Sequence, residues 1–238
     1  MRLYCLFAGS IGGCIIPGLR CNDSILDELA FLFLLSVMWI AYTIHFLESS
    51  TFMSKPPPLD LTETLVSSRK VFDGNLLHVY QDQARLPDGK VRVREYITHP
   101  GAVVIIPLLD NGELVLERQH RYPLHQDFFE LPAGKIDPGE DPPSCAQREL
   151  LEETGYTAES WRYLTTLHPC IGYSDEKLIY YLAQGLSFQG ENLDEGEHLE
   201  VFTLSLPTAL EWVKSGKITD NKSVSGLFWA EKVLRGEW

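Results

Sequence analysis

The chain has 238 residues, of which 45% are hydrophobic, and its formal net charge is −13 at pH 7. This composition permits a sizeable core, while the acidic balance argues against a sequence-independent grip on nucleic acid, which needs a basic surface. An acidic protein can still bind anionic phosphates where divalent cations bridge its carboxylates to phosphate oxygens.

The five cysteines are an odd number and do not have the spacing of zinc ligands. They therefore predict no disulfide framework and favour a reducing compartment, so we expect a cytoplasmic location. The alternative is a membrane-anchored protein with a cytoplasmic catalytic domain, and it depends on the first part of the chain.

Residues 1–52 form an apolar extension whose run at 30–47 has 18 residues and contains no acidic residue and no lysine. Three interpretations of it stay open: a membrane anchor, a signal segment, or an upstream stretch translated from a mis-assigned start. Met53 opens a Pro-rich leader, residues 53–65, of the kind expected before a folded domain. The remaining chain, residues 66–238, is interpreted as one domain.

The first elements of this domain are predicted to be strands. Alternating stretches at 76–86 and 90–99 flank Pro87, Asp88 and Gly89, which indicates a hairpin. The apolar run at 101–109 suits a buried strand, and after a second turn residues 113–122 are interpreted as its pairing partner.

The later elements mix helices and strands. A helical pattern covers 142–154, strand patterns follow at 178–183 and 199–206, and helical patterns return at 207–214 and 224–235. This order predicts a mixed α/β fold with the first helix between sheet segments.

The helix at 142–154 carries an unusual group of acidic residues. Glu149, Glu152 and Glu153 stand at positions i, i+3 and i+4, so their carboxylates project from one face. A solvated acidic face would explain a lone group of this kind, but like charges destabilise a helix and Mg²⁺ would offset them with its preference for oxygen ligands. Arg148 can brace the glutamates with its planar guanidinium.

The surrounding residues match the Nudix box, GX5EX7REUXEEXGU, in which U is an aliphatic or bulky apolar residue. Its fixed positions are filled by Gly134, Glu140, Arg148, Glu149, Leu150, Glu152, Glu153, Gly155 and Tyr156. The resemblance covers about residues 66–238 and implies a Nudix fold, an α/β/α sandwich around a mixed β-sheet.

This resemblance also implies an Mg²⁺-dependent pyrophosphohydrolase, with Mn²⁺ as a substitute. By carry-over, Glu149 and Glu153 are the principal metal ligands, Glu152 is an additional one, and the backbone carbonyl of Ala133 is a further one. Arg148 belongs to the implied catalytic set together with Glu152 and Glu153.

The flanks of the box are similar to the ADP-ribose pyrophosphatase group, which cleaves ADP-ribose to AMP and ribose 5-phosphate. The similarity lies in RQHRYP, IGYSDE and DEGEHLEVFTL. It implies Glu195 as the base that activates water, with Glu197 as the second choice, although DEGE also suits an ordinary turn.

Three further residues are implied near the substrate: Arg94, Arg121 and Glu176. An arginine fork suits phosphate oxygens, and an exposed surface arginine is the alternative for Arg94 and Arg121. One position departs from the group, because Ile171 stands where a proline is usual, and this leaves the identity of the substrate open.

The competing functions are sugar-nucleotide (GDP-mannose-like) or dinucleotide pyrophosphatases, sanitising triphosphatases and, in another class, a non-catalytic Nudix-fold binding protein. The expected partners are a small nucleotide-sugar substrate and a second copy of the chain. Members of the group are commonly homodimers, which would place Arg94 opposite the metal helix of the other subunit. A membrane partner follows only if residues 30–47 are an anchor.

Overall fold

The structure is a computed structural model that describes Ser36 and residues 58–190 and 198–238. The chain divides into two compact units, Met1–Asp60 and Leu61–Trp238. Apart from Ser36, the apolar run at 30–47 lies outside the described residues. Among the residues that are described, no helix is long and apolar enough to cross a membrane.

The second unit contains all the strands described below. In chain order they are β1 (Thr64–Asp73), β2 (His78–Arg85), β3 (Val91–Thr98), β4 (Ala102–Pro107), β5 (Glu113–Arg121), β6 (Gln126–Glu130), β7 (Ala133–Lys135), β8 (Tyr156–Leu167), β9 (Leu178–Phe188) and β10 (Leu199–Ser205). The helices are α1 (Pro142–Thr154), α2 (Leu206–Lys214) and α3 (Asn221–Leu234), and a short 3-10 turn occupies Tyr122–Leu124. Strand β1 begins two residues before the start predicted for the domain.

The first three strands form an antiparallel sheet in the order β1-β2-β3. The predicted hairpin joins β2 to β3, with Arg85 opposite Val91, and the turn is closed by a 2.8 Å hydrogen bond from the amide of Leu86 to the carbonyl of Lys90. Gly89 adopts a φ of 82° in this turn, a conformation that a side chain would strain. The hairpin prediction is confirmed.

The sheet in the middle of the unit has the order β7-β4-β9-β8 and is mixed, because β4 and β9 run parallel while the other pairs are antiparallel. A third sheet has the order β10-β5-β6. The predicted pairing of β4 with β5 is wrong, since only one bridge, Leu108 to Leu114, joins their ends. Both edges of β4 are already occupied by β7 and β9, so β5 diverges into another sheet.

Strand β4 is buried along its whole length and divides the core into two sides. Val104 and Ile106 pack in the cluster that includes α2 and α3, whereas Val103 and Ile105 pack in the cluster that includes α1. Each such side chain stabilises the folded state by about 1.5–3 kcal/mol. Helices therefore cover both faces of the mixed sheet, which confirms the predicted α/β/α sandwich.

Candidate active site

Helix α1 begins and ends where the sequence predicted. Asp141 caps its start by accepting hydrogen bonds from the amide and hydroxyl of Ser144, at 3.0 and 2.9 Å, and Pro142 occupies the first turn. Gly155 ends the helix with a φ of 73°. These local signals hold α1 between β7 and β8, with Leu150 buried against the sheet.

Arg148 joins the acidic residues of the loop and the helix. Its Nε and Nη2 atoms each donate to Glu140 at 2.9 Å, and its Nη1 donates to Glu149 at 2.8 Å and to Glu152 at 2.9 Å. Nη2 also donates to the carbonyl of Lys135 at 3.2 Å. One guanidinium thus offsets the mutual repulsion of three carboxylates and ties α1 to the loop before it.

These contacts change the titration of both partners. The hydrogen bonds from Arg148, reinforced by the backbone amide of Asp137, lower the pKa of Glu140 to about 2. The hydrogen bond with Glu140 and those with the helix glutamates raise the pKa of Arg148 further above its ordinary value, against the opposing effect of burial. The arginine is therefore a permanent cation at the centre of this cluster.

The backbone of strand β7 contacts the carboxylates of Glu153 and Glu149 on helix α1. The backbone amide of Ala133 donates to Oε2 of Glu153 at 2.9 Å, and Glu153 is only 6% exposed. Gly134, the next residue, lies directly against the carboxylate of Glu149. The close approach of β7 to α1 thus brings the backbone of residues 133 and 134 to the carboxylates.

These residues open onto a cleft of about 620 Å³. It is lined by Leu76, His99, Ala102, Gln119, Arg121, Ala133, Gly134, Lys135, Asp137, Arg148, Glu149, Glu153, Glu176, Leu178 and Lys222. Most of the predicted site residues therefore line one cavity, which also contains the cationic side chains of Arg121 and Lys222.

One feature of the cleft, the pairing of Arg121 and Lys222 with Glu130, is not predicted from the sequence. Arg121 forms a two-pronged ion pair with Glu130, from Nε at 2.7 Å and from Nη2 at 2.6 Å, and Nζ of Lys222 contacts the same carboxylate. Lys222 and Glu130 are 92 positions apart, so no local pattern joins them. An acid inside the apolar stretch FFELP is the signal that could have marked Glu130.

The sequence families that match the chain agree with this geometry. Residues 98–222 match the NUDIX domain, and residues 63–97 match the nucleoside diphosphate sugar hydrolase N-terminal domain. The NUDIX match alone spans more than half of the chain. The chain belongs to the Nudix family.

Individual relatives extend over most of the Nudix domain. The ADP-ribose pyrophosphatase of Bacillus subtilis is 38% identical over 68% of this chain and 89% of its own length, and the methanol dehydrogenase activator of Bacillus methanolicus is equally similar over the same shares. The solved structure of an ADP compounds hydrolase matches with a TM-score of 0.69 and 27% identity, covering 75% of this chain and 98% of that one. The chain is a hydrolase that acts on pyrophosphate bonds.

Two of the described residues singled out in the sequence, Arg94 and Ile171, do not line the Nudix cleft. The guanidinium of Arg94, on β3, binds Glu63 at 2.8 and 2.6 Å and does not line the cleft formed by the described residues. Glu195 and Glu197 lie in residues 191–197, outside the described residues. Ile171, the departure from the ADP-ribose group, is 84% exposed on a turn and does not contribute to the cleft wall.

The carboxylates of helix α1 suit a divalent cation. Glu149 and Glu153 line the cleft and offer the hard oxygen ligands that Mg²⁺ and Mn²⁺ prefer, while Glu152 is held by Arg148. Across residues 58–190 and 198–238, no three acidic, histidine or cysteine side chains are already gathered in a metal-holding group. Glu149 also binds Arg148, so a cation would share this carboxylate with the guanidinium.

Proposed function

We propose that this Nudix hydrolase cleaves ADP-ribose to AMP and ribose 5-phosphate. The observation that carries the proposal is that Glu149, Glu153 and Glu176 line the same cleft as Arg121. A pyrophosphate needs cationic groups for its oxygens and carboxylates for a metal and a water, and this cleft offers both. The names of the Bacillus subtilis relative and of the ADP compounds hydrolase support an ADP-containing substrate.

The cation we propose is Mg²⁺, with Mn²⁺ as a substitute. Glu149 and Glu153 would hold it, together with Glu152 and the backbone carbonyl of Ala133. When bound, such an ion neutralises charge on the phosphate oxygens and lowers the pKa of a water ligand. Arg148 positions Glu149 and Glu152 for this task through the hydrogen bonds described above.

The residues of the chain would perform the remaining steps. Arg121 binds oxygens of the pyrophosphate, and a carboxylate removes a proton from the attacking water. The water oxygen forms a bond to one phosphorus, and the bond from that phosphorus to the bridging oxygen breaks, leaving the electron pair on the departing phosphate. We propose Glu195 as the base, with Glu197 as the second choice and Glu176 as a substrate-side residue.

A panel of substrates tests this function. The full chain, assayed with magnesium, should hydrolyse ADP-ribose with a kcat/KM at least about tenfold above that for GDP-mannose, NADH, diadenosine polyphosphates or 8-oxo-dGTP. Product analysis should show AMP and ribose 5-phosphate in equal amounts. A preference for GDP-mannose or a dinucleotide would contradict the substrate while preserving the reaction class.

We also propose that two copies of the chain associate through the β1-β2-β3 sheet. All ten residues of β1 are exposed in the single chain, and several of them are apolar, including Leu65, Val71 and Phe72. Val93, on β3 at the other edge of the same sheet, is exposed as well. An apolar surface of this kind on a soluble domain is typical of an interface. A cytoplasmic location stays a prediction.

A further inference from the structure

Four charged side chains form a cluster in the wall that separates two clefts. They are Arg121, Glu130, Asp220 and Lys222, here called the wall cluster. Arg121 and Lys222 line both the catalytic cleft and a neighbouring cleft of about 700 Å³. A ligand in the catalytic cleft would therefore contact Arg121 and Lys222, and both of these cations are also paired with the buried Glu130.

The contacts within the wall cluster are ordered around Glu130, which is 2% exposed. Its two oxygens accept one hydrogen bond each from Arg121, and Nζ of Lys222 approaches the second oxygen. Lys222, whose side chain is 11% exposed, donates to Asp220 at 2.9 Å. Asp220 in turn caps helix α3 by accepting from the amide and hydroxyl of Ser223.

The pairing leaves most of the Arg121 guanidinium available. The fork to Glu130 uses two of its five N–H groups, and Arg121 makes no other side-chain hydrogen bond to residues 58–190 or 198–238. Its side chain is 42% exposed and lines the cleft. Because a planar fork held by two parallel hydrogen bonds has little freedom to rotate, Glu130 fixes the direction in which the other N–H groups point.

We infer that Glu130 is a positioning residue for the reaction, holding Arg121 in the orientation that binds the pyrophosphate of a nucleoside diphosphate. The inference rests on the proposed function. Lys222 has a complementary task, since it shares the negative charge of Glu130. Because Lys222 also neutralises Glu130, that carboxylate offsets less of the positive charge of Arg121 than it would if the two formed an isolated pair. Arg121 therefore attracts an anionic ligand more strongly than it would in such a pair.

Two other roles for Glu130 make different predictions. If it only tethered β6 to α3, its loss would lower stability and leave ligand affinity unchanged in the folded protein. If it acted only through its charge, Glu130→Gln would change the wall cluster from neutral to +1 and bind an anion more tightly. Positioning predicts the reverse, since a glutamine amide offers one acceptor oxygen and cannot hold the fork by two bonds.

The experiment measures binding, so that turnover plays no part. The probe is α,β-methylene-ADP, a nucleoside diphosphate whose P–C–P bridge is not hydrolysed, titrated calorimetrically into the full chain with magnesium. We expect Arg121→Ala to weaken binding about tenfold and Glu130→Gln to weaken it about fivefold to tenfold. In the Arg121→Ala background, Glu130→Gln should cause no further loss, because it acts through Arg121.

A matched control is available in the same sheet, where β10 pairs with the other edge of β5. Arg118 pairs with Glu200 at 2.6 Å on the exposed side of β5, away from the clefts, so Glu200→Gln removes a comparable ion pair and should leave the affinity unchanged. Circular dichroism verifies that each variant is folded. Equal or tighter binding by Glu130→Gln, an equal loss in both backgrounds, or no binding of the probe by the wild type would overturn the inference.

A second variant decides the matter if Glu130→Gln does not fold. Arg121→Lys keeps the charge but cannot form a fork, and its side chain lies at the cleft surface. Positioning predicts about a fivefold loss of affinity, and wild-type affinity would overturn it. The proposed function fails separately, if the wild type binds the probe but does not hydrolyse ADP-ribose.

Discussion

The carboxylate of Glu149 occupies the space that a β-carbon at position 134 would need. An ideal Cβ on Gly134 would lie 1.7 Å from Cδ of Glu149 and 1.9 Å from its Oε1, far inside any real contact. The obstructing atoms are the end of a flexible side chain, so a larger residue at position 134 would move the carboxylate and leave the backbone in place. The absence of a side chain at Gly134 thus sets where a proposed metal ligand lies.

Gly134→Ala should therefore damage activity much more than stability. Displacing the Glu149 carboxylate by an ångström or more should lower kcat/KM by about 100-fold, while the midpoint of thermal unfolding changes little. Gly172→Ala is the matched control, because a Cβ at Gly172 meets nothing within 4 Å and its φ is ordinary. Activity within a factor of two of wild type in Gly134→Ala would contradict the role given to Glu149.

Glu153→Gln should remove activity from a folded protein. Glutamine retains an oxygen that accepts the amide hydrogen of Ala133, but it lacks the charge that a metal ligand supplies. We expect kcat to fall by roughly two orders of magnitude or more at saturating magnesium. The exposed Glu211 on α2 provides the control, since Glu211→Gln should be fully active; equal rates for the two variants would refute the metal assignment.

The pairing of Arg148 with Glu140 predicts a dependence of stability on pH. The pKa of Glu140 is lowered from 4.5 to about 2, so the stability from this pair is complete above pH 4.5 and is lost as the pH falls toward 2. Arg148→Lys, which cannot hold Glu140 by a fork, should lower the unfolding temperature by a few degrees near neutral pH. The gap between wild type and variant should narrow between pH 4.5 and 2, and a gap that stays constant with pH would be inconsistent with this pair.

The exposed sheet predicts the effect of a charge on assembly. Val93 is 47% exposed on β3, and we expect Val93→Glu to disfavour association because it would place a charge in the apolar interface. Light scattering on the full chain should give about twice 27.0 kDa for the wild type and a lower average mass for the variant. Phe228 on α3 is 48% exposed, and Phe228→Glu serves as the control. A monomeric wild type would disprove the homodimer.

Helix α1 shows why part of the fold can be predicted from the sequence. Pro142 at its start and Gly155 at its end act over a few residues, so both boundaries of α1 are predicted correctly. Strand β1 cannot be predicted in this way, because all ten of its residues are exposed and leave no burial periodicity to detect. The pairing of β4 with β5 was wrong for a different reason, since a correct turn does not decide which strands share a sheet.

The site divides in the same way. The glutamates of α1 follow from helical spacing, because neighbours on a helix face are fixed by the backbone. The pairing of Glu130 with Lys222 depends on contacts between β6 and α3 that only the tertiary fold creates. Arg121 was implied by resemblance, but its fork on Glu130 was not.

The parallel pairing of β4 with β9 also has a consequence for the order of folding. Ala102 lies opposite Leu178, more than seventy residues later, and the whole of helix α1 falls within the loop that this contact closes. A long-range parallel pair of this kind forms slowly, because the chain between the two strands must lose conformational entropy before the strand contacts can form. The cleft therefore cannot form until β9 has been synthesised, and hydrolysis has to await the second half of the domain.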